Sequence, residues 1–233
     1  MTIYRLFVNA NSGREGLLNV AAFVVALLAA LILHEIAHGL VALWNGDNTA
    51  KTYGRLTLNP LKHFDWVGLL MMFLVGFGWA KPVPVNPNNF KNRKVGAITV
   101  SVAGVLTNLV LAFFSALFWW LFRQITANTE GMAYFKHFLL ALAELMVRLN
   151  VTFALFNILP LYPLDGYRLL SCFVDSNNRA MVFLRRYSLY ILLGLMVLNY
   201  VPYVSSFSPL NLYLSSLGGM IEKGFYAFWG LFF

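Results

Sequence analysis

The chain has 233 residues, of which 60% are hydrophobic, 16% aromatic and only 11% charged, against the roughly 25% charged of an ordinary soluble domain. Its net charge of +8 would suit a nucleic-acid partner in a polar protein. Here, however, Lys and Arg fall in short connections between apolar runs, where basic charge orients membrane helices, which argues against nucleic acid. A lone cysteine, Cys172, excludes an internal disulfide and a Cys-rich metal site.

The first long run, Leu17 to Leu43, carries no ionisable side chain other than His34, Glu35 and His38. It is longer than the apolar core of a signal peptide and reads as a mature helix over about 17–43. The next uncharged run, Val67 to Ala80, has 14 residues. As a helix it reaches about 21 Å, short of a hydrocarbon core of about 30 Å. Basic residues flank it on both sides, and Gly76, Gly78, Pro82, Pro84 and Pro87 forbid a long regular helix. The region about 52–94 is therefore expected to be a re-entrant, partly extended segment with both ends cytoplasmic. Val95 to Phe122 is uncharged and long enough to cross, giving a helix over about 95–122. A helix over about 137–165 follows, with Asn157, Pro160, Pro163, Asp165 and Gly166 at its end, where the prolines and the glycine break regular structure near membrane depth. Arg168, Arg179, Arg185 and Arg186 bring the chain back to the cytoplasm before a span over about 184–203 and a C-terminal segment over about 210–233 that spans or lies in the interface. The pattern predicts an all-α membrane protein, a polytopic helical bundle of about four to six membrane segments in a single domain over 1–233. Eleven Lys and Arg lie on the cytoplasmic side of this arrangement against five opposite, which puts the N-terminus outside.

The chemistry concentrates between Leu31 and Gly39. His34 and His38 are four residues apart, so on a helix they differ by about 40° and project from one face, with Glu35 beside them. That spacing suits a zinc hydrolase: zinc takes nitrogen and oxygen donors in a roughly tetrahedral shell, one position is kept for water, and a neighbouring carboxylate serves as general base. Three ionisable side chains in one turn of an apolar helix cost on the order of 2.5–3.5 kcal/mol each for the charged types, so they persist where they have partners or a function. A third ligand must come from elsewhere. Asp165 stands in an apolar setting broken by Pro163 and Gly166, which lets a carboxylate point into a cavity, although Asp-Gly also commonly turns a chain at the membrane surface. Glu144 and Arg148, four apart, read as an ion pair near the outer interface, and His63, Asp65 and His137 as interfacial residues.

Three segments together resemble the site-2 protease family of intramembrane zinc metalloproteases. His34-Glu35-Ile36-Ala37-His38 looks like the family's HExxH, Asn157 to Gly166 like its N-x-x-P-x-x-P-x-D-G element, and Ser101 to Asn108 like its G-P-x-x-N helix, with Val105 at the proline position. Gly54 to Pro60 and Gly76 to Asn86 are similar to the small bacterial members that lack a PDZ domain. The resemblance implies one zinc ion per chain, held by His34, His38 and Asp165, with Glu35 as the catalytic base and Asn157 holding the substrate backbone or the oxyanion. It implies hydrolysis of a peptide bond in or near a transmembrane segment of a membrane protein or peptide, in a lipid membrane that is expected to be the bacterial plasma membrane, with the site toward the cytoplasm. Gly76 to Asn86 is then a candidate extended edge for a substrate strand. A metal-ion or proton transporter built on the same His, Glu and Asp is the competing reading and calls for a second ligand station. A catalytically silent zinc-binding homologue leaves Glu35 without a purpose.

Overall fold

The computed structural model of the protein describes residues 13–68, 80–200 and 208–233. In chain order the helices are α1 (Gly13–Trp44), the single turn α2 (Thr49–Thr52), α3 (Arg93–Arg123), α4 (Glu130–Asn157), the short α5 (Asp165–Ser171), α6 (Arg179–Tyr200) and α7 (Pro209–Trp229). Two 3-10 turns, Pro60–Lys62 and Pro87–Asn89, punctuate the connection between α2 and α3. Among the described residues there is no strand, only one isolated antiparallel bridge between Phe64 and Ala80. Four helices, α1, α3, α4 and α6, are long and apolar enough to cross a membrane. The all-α polytopic architecture expected from the apolar runs is therefore what the chain adopts.

Local sequence sets the helix ends. Asn92 caps α3, its side chain accepting from the N–H groups of Lys94 and Val95 at 3.1 Å. Thr129 caps α4 by accepting from Met132 N–H at 3.3 Å. The helix expected over about 137–165 consequently runs from Glu130 to Asn157 instead, and Asp165 opens a separate helix. Its far end falls early because Pro160 and Pro163 have no N–H to continue the helical ladder. Glu144 and Arg148 lie midway along α4, and both are exposed. Much of the region expected to be re-entrant is loop; its residues 69–79, including Gly76 and Gly78, lie outside the described residues.

The core is the trio α1, α3 and α4. On α1, Ala22, Ala26 and Ala30 recur every four residues and are all fully buried. Small side chains at that spacing let membrane helices approach closely, and close approach is what packs helices in lipid, where no hydrophobic drive exists between them. The same four-residue series continues through His34 and His38 to Ala42, all buried. Because each step of four advances about 40° around the helix, the seam winds from α4 to α3: Ala22 and Ala26 pack with Leu145 of α4, whereas Ala42 packs with Val100 of α3. On the far side of α3, Ala112 and Ala116 meet Val147 and Val151 of α4, with Tyr213, Leu214 and Phe225 of α7 against them.

Side-chain contacts fix the directions. His34 meets Asn108 and His38 meets Val100, so α3 runs antiparallel to α1. Arg14 pairs with Glu130 at 3.2 Å and His137 bonds Asn19 at 2.9 Å, so α4 starts where α1 starts and runs parallel to it. One end of the bundle thus carries the starts of α1 and α4, and the other carries the connection from α1 to α3.

Candidate metal centre

His34 and His38 lie on adjacent turns of α1, buried to 6% and 3% relative exposure, and Asp165 is brought to them as the first residue of α5. The return that delivers Asp165 needs Gly166: a Cβ there would overlap the carbonyl oxygens of Ile158 and Leu159, where the chain doubles back after α4. A second glycine makes room for His34 itself. Gly104 of α3 faces the His34 imidazole so closely that a Cβ would occupy the position of the ring.

The three donor atoms form a nearly equilateral triangle. His34 Nε2 lies 3.1 Å from His38 Nε2 and 3.2 Å from Asp165 Oδ2, and His38 Nε2 lies 3.1 Å from the same oxygen. Around an ion with bonds of roughly 2.0–2.1 Å, adjacent donors in a tetrahedral shell are about 3.3 Å apart. The triangle is therefore the size of one face of that shell.

The protons make the case stronger than the distances alone. His34 Nδ1 is 2.6 Å from Asn108 Oδ1, and His38 Nδ1 is 2.7 Å from the carbonyl oxygen of Val100. Both partners are acceptors, so each imidazole carries its proton on Nδ1 and turns an Nε2 lone pair inward. Asp165 Oδ2, the third inward atom, is buried and has no hydrogen-bond donor. Three lone-pair atoms thus converge with nothing shared between them, an arrangement that a cation relieves and that buried polar groups otherwise avoid. The other carboxylate oxygen, Oδ1, faces Arg168 Nη1 at 3.6 Å. Two imidazoles and a carboxylate are a donor set zinc favours.

Glu35 follows His34 on α1, partly buried, and its Oε2 accepts a hydrogen bond from Val83 N–H at 2.8 Å. Val83 belongs to an extended strap, residues 80–86, that crosses the site end of α1. The strap is held at several points: Lys81 N–H donates to His63 O at 2.8 Å, Arg55 Nη2 donates to Lys81 O, and Asn86 N–H donates to Asp47 Oδ2 at 2.7 Å. Pro82 and Pro84 flank Val83 and have no N–H, so Val83 presents the strap's one donor between Lys81 and Val85.

Of the residues singled out in the sequence, His34, His38 and Asp165 come together, and Glu35 adjoins them. Asn157 ends α4, its Nδ2 donating to Phe153 O at 3.0 Å; among the described residues it makes no hydrogen bond to the triad. His63 and Asp65 serve the loop: His63 Nε2 bonds Thr57 O, and Asp65 accepts from Gly68 N–H. Asn108 and Val83 fall within segments that the sequence marks, but nothing in the sequence shows their tasks, and Asp47 is one loop carboxylate among several. An amide in the middle of an uncharged membrane run was the clue to Asn108, since such a group must find a partner inside the protein.

A family model of Peptidase family M50 matches residues 22–201, and the chain belongs to that family, the site-2 proteases. Over 157 residues, 67% of this chain and 71% of the relative, it is 43% identical to "Putative zinc metalloprotease YwhC" of Bacillus subtilis (strain 168). It is 28% identical over 243 residues, 92% of this chain and 84% of the relative, to "Putative zinc metalloprotease Rip2" of Mycolicibacterium smegmatis. The relative of the same name from Mycobacterium tuberculosis is 26% identical over 224 residues, 90% of this chain and 81% of the relative. No solved structure matches the chain. Family, membrane helices and donor triad together make this an integral membrane zinc metalloprotease, as its motifs led one to expect.

Proposed function

We propose that the protein is an endopeptidase that hydrolyses a peptide bond in or near a transmembrane segment of a membrane-protein substrate, in the bacterial plasma membrane and from the cytoplasmic side. The observation that carries this reading is the convergence of three buried acceptor atoms, two of them on the apolar helix α1, beside a carboxylate, Glu35, that is not one of them. Bound by His34, His38 and Asp165, zinc supplies Lewis-acid polarisation of a carbonyl and a water of lowered pKa. Glu35 takes the proton from the attacking water and returns it to the leaving amine. Val83 N–H occupies one oxygen of that carboxylate and so orients it, leaving the other for the proton. Asn157 binds Phe153 O through one N–H; its second N–H and its carbonyl remain for the substrate backbone or the oxyanion, a role suited to an amide.

The strap is the proposed docking edge. A substrate helix must unwind before its peptide bonds can be reached, and an extended segment beside the base offers backbone groups to an extended substrate. A transporter calls for a second ligand station; among the described residues, His34, His38 and Asp165 are the one group of three or more such side chains.

The test is zinc content and cleavage of a panel of single-span substrates by the purified protein. Wild type and Glu35→Gln are expected to bind about one zinc each, with cleavage falling on the order of 10²–10⁴-fold in the variant, while Asp165→Ala loses the metal. Cleavage by Glu35→Gln at the wild-type rate would refute the assigned base, and a metal-free wild type would refute the site.

A further inference from the structure

Two asparagines, Asn108 of α3 and Asn150 of α4, are fully buried within the trio of packed helices. We infer that Asn150 is a positioning residue for the metal centre, acting through Asn108 to fix the proton on His34; the inference rests on the metal-site reading above.

The hydrogen bonds run in one direction only. Asn150 Nδ2 donates to the carbonyl of Met146 at 2.8 Å. A backbone carbonyl can only accept, so the Asn150 amide has a single orientation and its Oδ1 faces α3. Asn108 Nδ2 donates to that oxygen at 2.7 Å and lies 3.4 Å from Ala30 O. The Asn108 amide is thereby also fixed, and its Oδ1 faces His34 Nδ1 at 2.6 Å. An acceptor there obliges His34 to be protonated on Nδ1, which leaves Nε2 bare toward Asp165 and the metal. The peptide carbonyl of Met146 thus determines the tautomer of a ligand on another helix through two carboxamides. His38 needs no such relay, because the Val100 carbonyl accepts from it directly. Reversal of the Asn108 amide would point an N–H at His34 Nδ1, move the imidazole proton to Nε2 and close the ligand position. Two acceptors oppose this reversal, and Asn150 Oδ1 at 2.7 Å is the closer, against 3.4 Å for Ala30 O. Outer partners of metal-bound histidines typically change affinity 10–100-fold when lost.

The experiment compares wild type, Asn150→Leu, Asn150→Ser and Val151→Ala in detergent, with zinc affinity read by chelator competition and ligand geometry by the visible spectrum of the cobalt-substituted protein. Leucine removes both amide functions while keeping the branch at Cγ, and serine, smaller than asparagine, is too short to reach Asn108. Val151 is equally buried one residue on, but packs in the apolar cluster between α3 and α4. Both Asn150 variants are expected to lose 10–100-fold in zinc affinity and to alter the cobalt spectrum, whereas Val151→Ala keeps both while melting at a lower temperature. Wild-type affinity and spectrum in either folded Asn150 variant would overturn the proposal. So would an equal loss in Val151→Ala, or the failure of both Asn150 variants to fold, which would give Asn150 a structural task alone. Absence of zinc from wild type would refute the metal-site reading itself.

Discussion

At the scale of single residues, the site depends as much on what is missing as on what is present. Gly104 leaves the space that the His34 ring fills. Alanine at that position puts a methyl group where the imidazole stands, so either α1 and α3 separate or the ring swings away from the triad. Overpacking of this kind costs about 1–3 kcal/mol, and here the strain falls directly on a proposed ligand. Gly104→Ala is therefore expected to lower the melting temperature and to weaken zinc binding at least about tenfold, in the range seen for disturbed metal-site support. Gly131→Ala provides the control, since nothing lies within 4 Å of a Cβ built there; chelator competition on both variants checks the expectation. A Gly104→Ala protein with unchanged zinc affinity would show that the bundle adapts at no cost to the ligand.

At the scale of elements, the strap at residues 80–86 couples Glu35, the proposed base, to the loop that closes the site end of the bundle. Asp47 is its fastening. The carboxylate is fully buried and accepts from Thr49 N–H, the Thr49 hydroxyl, Asn86 N–H and Asn89 Nδ2. Burial pushes its pKa upward, but the four donors outweigh that and hold it below the ordinary carboxylate value. A depressed pKa in the folded state means that the contribution to stability is fully present above the ordinary value, about 3.9, and disappears as pH falls through the lowered one. Hydrogen exchange across residues 81–92, corrected for its intrinsic pH dependence, is therefore expected to be slow at neutral pH and to quicken below about pH 4. Asp47→Asn sets an amide N–H against one of these donors and is expected to loosen the same residues at neutral pH, at a cost of about 1–3 kcal/mol. Equal exchange in variant and wild type would separate Asp47 from the strap. The contrast between Asp47 and His34 shows how far the sequence can be read. His34, Glu35 and His38 are legible because three ionisable groups in one turn of an apolar run have no cheap explanation, and the two prolines before Asp165 announce the break that delivers it. Asp47 sits in an ordinary polar loop, and Val83 acts through its backbone, which no side-chain pattern records. α4 begins before the expected residue 137: Glu130 to Lys136 is mixed in polarity, and the Thr129 cap is a weaker signal than an apolar run.

At the scale of the whole molecule, the two ends of the bundle are chemically unequal. The end where α1 and α4 begin carries the exposed Arg14–Glu130 pair and Lys136, whose ammonium donates to the carbonyls of Arg123 and Ile125 at the close of α3. The opposite end carries Lys51, Arg55, Lys62, Lys81, Lys91, Arg93 and Lys94 in the connection from α1 to α3. Short basic connections remain on the cytoplasmic side of a membrane, so this end is proposed to face the cytoplasm. The metal centre is displaced toward it: at 1.5 Å per residue His34 lies about 15 Å from Trp44 but about 32 Å from Gly13 along α1. Hydrolysis consumes water, and the shorter distance along α1 to bulk water is from the end proposed to be cytoplasmic. Exposed Lys91 and Asn128 lie at opposite ends, and with Cys172 as the chain's single cysteine a Cys172→Ser background gives a clean labelling experiment. A membrane-impermeant maleimide is expected to label Asn128→Cys in intact cells and Lys91→Cys only in inverted vesicles. In the same vesicles an impermeant chelator should strip zinc faster than it does in intact cells. Labelling in the reverse order would invert the protein in the bilayer and place the active site near the outer face, where a substrate would have to present the other end of its transmembrane segment.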